Sequence, residues 1–122
     1  WRMTRVVNLQ QKLDSFTEQW NPRIVGELNG QHLRLAKLQG EFVWHSHEQE
    51  DELFLVLRGT LTMHFRDRIE TVNEGEFLIV PRGVEHLPAA ADEVHVLLFE
   101  PAETVNTGEV GGPRTRNQLD TI

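Results

Sequence analysis

From Pro22 to Phe99 the chain is a succession of short apolar runs broken by glycine, asparagine and proline, and helical spacing is confined to one stretch near the start. There Leu9, Leu13 and Phe16 recur at helical intervals behind Asn8, whose side chain can accept hydrogen bonds from the first free amides. A short amphipathic helix of about two turns is expected, packed on the outside of the sheets. Before it, Thr4-Arg5-Val6-Val7 reads as a β-branched piece for a sheet edge. After Pro22, the runs 24–28 and 31–38 flank Asn29-Gly30, which supplies the two positive φ angles of a type I′ turn and so predicts a hairpin. His32, just past the turn, is expected to face solvent.

Further strands are expected over 42–47, 52–57, 60–66, 69–72, 76–80 and 94–99, broken at Gly59, Asp67, Asn73-Glu74-Gly75 and Pro81-Arg82-Gly83. Many short strands with regular turns and almost no helix predict an all-β sandwich or barrel. Phe42, Trp44, Phe54, Met63 and Phe77 are expected in its core. The strands 53–57 and 77–80 are apolar on both faces, whereas a half-exposed antiparallel sheet alternates. Something must cover the second face, and the helix and a second subunit are the candidates; a homodimer is expected. From Pro101 the chain turns polar and aperiodic, so residues 101–122 are expected as an extension over the surface, with Asn106 or Thr107 placed to cap the barrel mouth.

Chemistry concentrates in two stretches. His45 and His47 stand at i and i+2, which on an extended segment turns both imidazoles to one side. Glu52 opens the next apolar run, and His86 follows the Pro81-Arg82-Gly83 turn. Three neutral imidazoles and one carboxylate suit a divalent first-row transition metal: Mn, Fe, Co, Ni, Cu or Zn. They converge only if the sheet curls into a barrel. Glu50 and Asp51 are rival carboxylates, but Glu52 shares its strand face with Phe54 and Val56, while Asp51 falls on the opposite face. In 61–65 the apolar set is Leu61, Met63 and Phe65, so His64 faces away with Thr62. His95 shares a face with Leu97 and Phe99 and is expected to line the pocket as a base. Arg66 and Arg82 are the cations placed to reach an anionic group of a ligand.

The spacing resembles the two motifs of the cupin superfamily. Gly40, His45, His47, Glu52 and Gly59 match the first, and Gly75, Pro81, Gly83 and His86 match the second. Two departures stand out: four residues rather than five separate Gly40 from His45, and Ala90 occupies the place of the closing asparagine. The resemblance is to small single-domain cupins of the mannose-6-phosphate isomerase-like, cupin 2 type. It implies a jelly-roll β-barrel, a double-stranded β-helix, over residues 3–100. It also implies that His45, His47, Glu52 and His86 are the metal ligands, with two adjacent coordination positions left open. Cupin chemistry includes oxygenation and sugar-phosphate isomerisation, so the implied activity is a metal-dependent dioxygenase or isomerase on a small molecule; Glu52, and His95 on the strength of its strand face alone, are the expected catalytic groups. A barrel that binds a small ligand without turnover is the other reading.

Composition narrows the rest. Nineteen acidic against twelve basic residues give a formal charge of −7, unfavourable for a polyanion, and the basic residues are scattered, so nucleic acid is not an expected partner. The chain has no cysteine, which removes disulfides, thiolate ligands and thiol nucleophiles together, and no tyrosine, which removes a phenolic base. No run approaches the ~20 apolar residues that cross a bilayer, and no signal-peptide pattern is visible, so a cytoplasmic location away from membranes is expected. Met3 reads as a natural start, which makes Trp1 and Arg2 an expression remnant.

Overall fold

The computed structural model describes residues 4–122; the remnant assigned to Trp1 and Arg2 lies outside them. One short helix, α1 (Leu9–Leu13), precedes seven strands: β1 (Arg23–Leu28), β2 (Gln31–Glu41), β3 (Glu52–Arg58), β4 (Leu61–Phe65), β5 (Ile69–Val72), β6 (Phe77–Val80) and β7 (His86–Pro101). The named strands all pair antiparallel, in the order β1-β2-β7-β3-β6, with β4 joining β7 to β5, and an isolated parallel bridge joins Ile24 to Thr121. β7 is the axis of the barrel. β2 runs along one of its edges nearly throughout, while the other edge takes β4 against the first half (Thr62↔Ala89 to Phe65↔His86) and β3 against the second (Leu53↔Phe99 to Arg58↔His95). One strand thus pairs with three others and splits the sheet into two arms, β3-β6 and β4-β5, as in a jelly-roll barrel.

Local chemistry accounts for the predicted punctuation. Asn29 and Gly30 hold φ of 51° and 73°, and β1 and β2 pair directly across them at Leu28↔Gln31. Asn8 caps α1 by accepting from the Gln11 amide at 2.9 Å. The helix is shorter than the periodicity suggested, and Phe16 reaches the same apolar cluster from the loop beyond it.

Two clusters hold the molecule. The inner one joins Ala36 and Leu38 of β2, Phe54 and Val56 of β3, Leu61, Met63 and Phe65 of β4, and Val94, Val96 and Leu98 of β7, with Trp20 and Ala90. The outer one packs Leu13, Phe16 and Val25 on Leu35, with Leu57, Leu97 and Ile122 at its margin. α1 therefore covers part of the second apolar face. The part around β6 stays open: Phe77 and Ile79 are 62% and 51% exposed, which corrects the placement of Phe77 in the core. No helix among the described residues is long and apolar enough to cross a membrane.

Three strand expectations need correction. Residues 4–7 pair with nothing regular, and Val6 is 98% exposed. Segment 42–47 is extended but joins the sheet through a single bridge, His45↔His86. β7 starts eight residues earlier than its apolar run, since the ladder continues through Pro88 and three alanines. Pro88 gives no amide there, but its carbonyl accepts from the Phe42 amide at 2.9 Å.

Candidate metal centre

Each half of the site is carried on backbone before any side chain is considered. His45 and His86 exchange both main-chain hydrogen bonds, His45 N–H to His86 O at 3.1 Å and His86 N–H to His45 O at 2.9 Å. The Gly83 amide donates to His47 O at 2.9 Å, which ties the Pro81-Arg82-Gly83 turn to the first histidine pair. Glu52 enters from the first position of β3, on the inner face it shares with Phe54 and Val56.

These supports bring His45, His47, Glu52 and His86 together. One ligand atom from each lies within 4.8 Å of all the others, and all four residues are buried. His45 and His86 direct Nδ1 at the carbonyls of Val43 and Val84, both at 2.9 Å. A carbonyl accepts only, so Nδ1 carries the hydrogen and the Nε2 lone pair of each ring is left for the centre. His47 Nε2 and His86 Nε2 stand 3.5 and 3.7 Å from Glu52 Oε1. Those three atoms and His47 Nδ1 are buried without a hydrogen-bond partner. Three side chains with unsatisfied polar atoms, meeting beside His45 in an apolar barrel, cost free energy unless something occupies the middle, and a divalent cation satisfies them with the nitrogen and oxygen donors present.

The protonation states agree with that use. Burial first, and the neighbouring His86 second, lower the His45 pKa to about 4, so this imidazole is neutral near pH 7. Burial alone would raise Glu52, but the Glu100, His47 and His86 side chains around it outweigh that and hold the carboxylate well below its usual range.

Glu100 is the residue the sequence reading missed. It ends the inner-facing series Val94, Val96, Leu98 of β7 and is 1% exposed. Burial, then the charge of Glu52, push its pKa well above the ordinary carboxyl range, which favours the acid form beside the Glu52 carboxylate, and its Oε2 is buried without a hydrogen-bond partner. Arg34 of β2 supports it from behind, donating to Glu100 Oε1 at 2.8 Å and to the carbonyls of Thr104 and Ala102 at 3.0 Å each. His32, expected in solvent, is instead largely covered and contacts this guanidinium through Nδ1 at 3.1 Å. An inward charge at the end of an otherwise apolar alternation was the available signal.

Other expected groups lie elsewhere. His95 is on the outer face of β7, opposite Lys37 and Arg58 in the ladders and 2.9 Å from Glu93 Oε1, so its placement as a pocket base is corrected. The residues of β7 that face the site are those one step out of phase with it. Asp51 is exposed and takes the Arg82 amide at 2.8 Å, and Arg66 pairs with Glu85 on the surface. His64 turns away from Met63 as expected. Ala90, at the motif asparagine position, is buried opposite Gly40 and simply packs.

A cavity of about 40 Å³ adjoins the centre. His45, Glu52 and Glu100 reach it, but its walls are mainly Trp20, Phe42, Phe54 and Leu98. Trp20 and Phe42 stack at 4.8 Å between centroids, and Phe42 meets the His45 ring edge-on at 5.3 Å. No lysine or arginine lines it among the described residues.

With fold and centre in view, comparison with known proteins settles the lineage. Residues 32–100 match the family model of the cupin domain, Cupin_2, which is more than half of the chain. The chain is a cupin.

Among solved structures this cupin is similar to a cupin-2 domain containing protein from Shewanella frigidimarina, at 43% identity and a TM-score of 0.78 over 79% of this chain and 94% of that one. It is also similar to protein NMB1881 from Neisseria meningitidis, at 31% identity and a TM-score of 0.74 over 80% of this chain and all of that one. Uncharacterized protein YdbB of Bacillus subtilis is 34% identical over 85 residues, 69% of this chain and 75% of YdbB. The four converging side chains therefore sit on a shared cupin barrel.

Proposed function

We propose that this cupin is a mononuclear metal-dependent enzyme acting on a small, largely apolar molecule, with oxygen-dependent rather than sugar-phosphate chemistry. The cavity carries the choice. Its volume of about 40 Å³ has room for about three water molecules, or a ligand fragment of similar size. Its walls are aromatic and aliphatic, and the cations considered for a phosphate, Arg66 and Arg82, are exposed and paired with Glu85 and Asp51. A sugar phosphate needs both more room and a basic cradle.

In this reading His45, His47, His86 and Glu52 hold one divalent first-row transition metal. Iron held there supplies the redox chemistry that joins dioxygen to an oxidisable substrate. Both oxygen atoms enter the product, so electrons balance between the two substrates without an external reductant. The chain supplies the rest. Trp20, Phe42 and Phe54 exclude water and receive the apolar body of the substrate, Glu100 fixes Glu52 from behind, and the two histidine carbonyl partners fix ring orientation.

The test is metal content by plasma mass spectrometry for the native protein and a His45→Ala/His86→Ala variant, followed by oxygen uptake by the Fe(II)-loaded protein. Small two-donor chelators such as 1,3-dicarbonyls and 2-hydroxyketones are offered beside sugar phosphates. About one metal per chain, lost in the variant, with oxygen uptake on the first group is expected. Turnover of a sugar phosphate without oxygen consumption would reverse the choice. Stoichiometric metal with no turnover of either group would leave a ligand-binding module.

A further inference from the structure

The matched family region ends at residue 100, yet the chain after it is neither loose nor remote from the centre. Thr104 is 4% exposed and Thr107 is fully buried, and Asn106 lines the cavity beside His45 and Glu52. Gly108 lies against the first histidine pair with φ of +60°, so closely that a Cβ would overlap the Ser46 carbonyl oxygen and come within 3.7 Å of His47 Nδ1. Only glycine fits there, on both conformation and space.

This stretch is also bound to itself and to the barrel at both ends. Asn106 uses its whole amide within the segment: Nδ2 donates to Arg114 O at 2.7 Å, and Oδ1 accepts from the Arg116 amide at 2.8 Å. Thr107 and Thr115 join hydroxyls at 2.7 Å. The Arg114 guanidinium lies over the Trp20 ring at 4.9 Å, on the same aromatic stack that reaches His45 through Phe42. Arg34 fastens the near end through the carbonyls of Ala102 and Thr104. The far end is fastened to β1, where the Ile24 amide donates to Asp120 O at 2.9 Å and the Ile122 amide to Ile24 O at 3.0 Å.

We propose that residues 102–116, beyond the matched family region, form a strap that roofs the metal centre and controls which molecules reach it. The strap closes one side of the cavity through Asn106 and covers His47 through Gly108. A ligand must therefore fit beneath it or displace it. Its hold is local: the side chain of Asn106 makes the closing bonds and spends no polar atom on the centre. Cutting those bonds should open the roof and leave the four ligands in place. The proposal rests on the site geometry, and it deepens the metal-enzyme reading by assigning the control of access.

The experiment uses metal-free protein, so that it is independent of whether metal is bound. Diethylpyrocarbonate modification is followed residue by residue by mass spectrometry in the native chain, Asn106→Ala and Gly108→Ala. His64 and His95, which lie away from the centre, serve as internal references. His45, His47 and His86 are expected to react about tenfold faster in Asn106→Ala, the scale of losing two net hydrogen bonds from the closed state. His64 and His95 should keep their rates. Gly108→Ala should show the same selectivity more strongly, and Asn106→Ala keeps the test valid if Gly108→Ala fails to fold. Equal rates in the native and Asn106→Ala proteins overturn the strap as a roof, as does a uniform rise at all histidines. Separately, Zn(II)-loaded Asn106→Ala should lose metal to a chelator faster at unchanged stoichiometry. A native chain that takes up no zinc removes the metal reading and leaves the modification result standing.

Discussion

Arg34→Met tests the buried network behind the centre. Arg34 and Glu100 have side chains 2% and 1% exposed and meet at 2.8 Å. Glu100 is held as an acid against the Glu52 carboxylate, so the network is one cation and one anion joined through a carboxyl. In the metal-free protein, removing the guanidinium leaves the Glu52/Glu100 pair with a buried negative charge and no counter-cation, a loss of about 3–5 kcal/mol. The carbonyls of Ala102 and Thr104 also lose donors, at about 1 kcal/mol each, although water reaching the loosened segment recovers part of that. The expected destabilisation is about 4 kcal/mol, a large share of the ~6–18 kcal/mol typical for a chain of this length. Urea unfolding followed by tryptophan fluorescence reads it directly. With a slope of about 1–3 kcal/mol/M, the midpoint should fall by roughly 1.5–4 M. Arg34→Lys keeps the charge but cannot fork to two carbonyls, and should fall between the two proteins. A midpoint within about 0.5 M of native for Arg34→Met, at unchanged slope, would refute the assignment of Arg34 as the counter-cation.

Three other outcomes are expected. His45 takes its proton near pH 6.5 when unfolded and near 4 when folded, so the stability it gives the metal-free protein is complete above pH 6.5 and is lost as pH falls toward 4. The loss is on the order of 3 kcal/mol, and unfolding curves for native and His45→Gln proteins at pH 7 and 4.5 should show a smaller drop in the variant. Glu100→Ala should weaken metal binding about 10–100-fold in competition with a chromophoric chelator while keeping one site per chain; unchanged affinity would remove Glu100 as the support of Glu52. A second copy of the chain is expected over the open apolar face, because Phe77 and Ile79 lie beside Leu53 and Leu55 in the β3–β6 ladder and carry that face into solvent. Sedimentation should give a dimer for the native protein and a monomer for Phe77→Lys, and a native monomer at micromolar concentration would discard the expectation.

The pairing of His45 with His47 was legible because its signal is short-range, whereas their convergence with Glu52 and His86 was expected from the resemblance to the cupin motifs. Alternation along an extended segment puts His45 and His47 on one side whether or not the segment forms a ladder, and here it forms only one bridge. Asn29-Gly30 and the Asn8 cap were legible for the same reason, since each is a rule about neighbouring backbone. His95 was misplaced because β7 is apolar on both faces: Val94, Val96 and Leu98 face the inner cluster while Leu97 faces the outer one. Alternation then says which residues travel together, and not which set faces the centre. Strand β7 was underestimated because Pro88 and three alanines carry little strand preference and are held by their partners on β4 and β2. Trp20 gave no signal at all. It takes φ of 57°, unusual for a bulky residue, and is held there by its amide to Lys37 O at 2.9 Å and its indole to Gln39 O at 2.8 Å.

Arg34 makes the support of the centre and the fastening of the strap one event. One nitrogen of its guanidinium, Nη1, serves both Glu100 and the Thr104 carbonyl, and Nη2 serves the Ala102 carbonyl. Glu100 in turn holds Glu52, and the strap reaches His47 through Gly108 and His45 through the stack of Arg114, Trp20 and Phe42. Two contact paths thus run from the C-terminal segment to two of the converging histidines, His47 and His45. Residues that share a network in this way do not act independently. Loosening the strap at Asn106 and loosening the carboxylate support at Glu100 should therefore cost less together than the sum of the two alone. The barrel provides the four converging side chains, and the coupling of their geometry to the roof above them comes from a segment outside the matched family region.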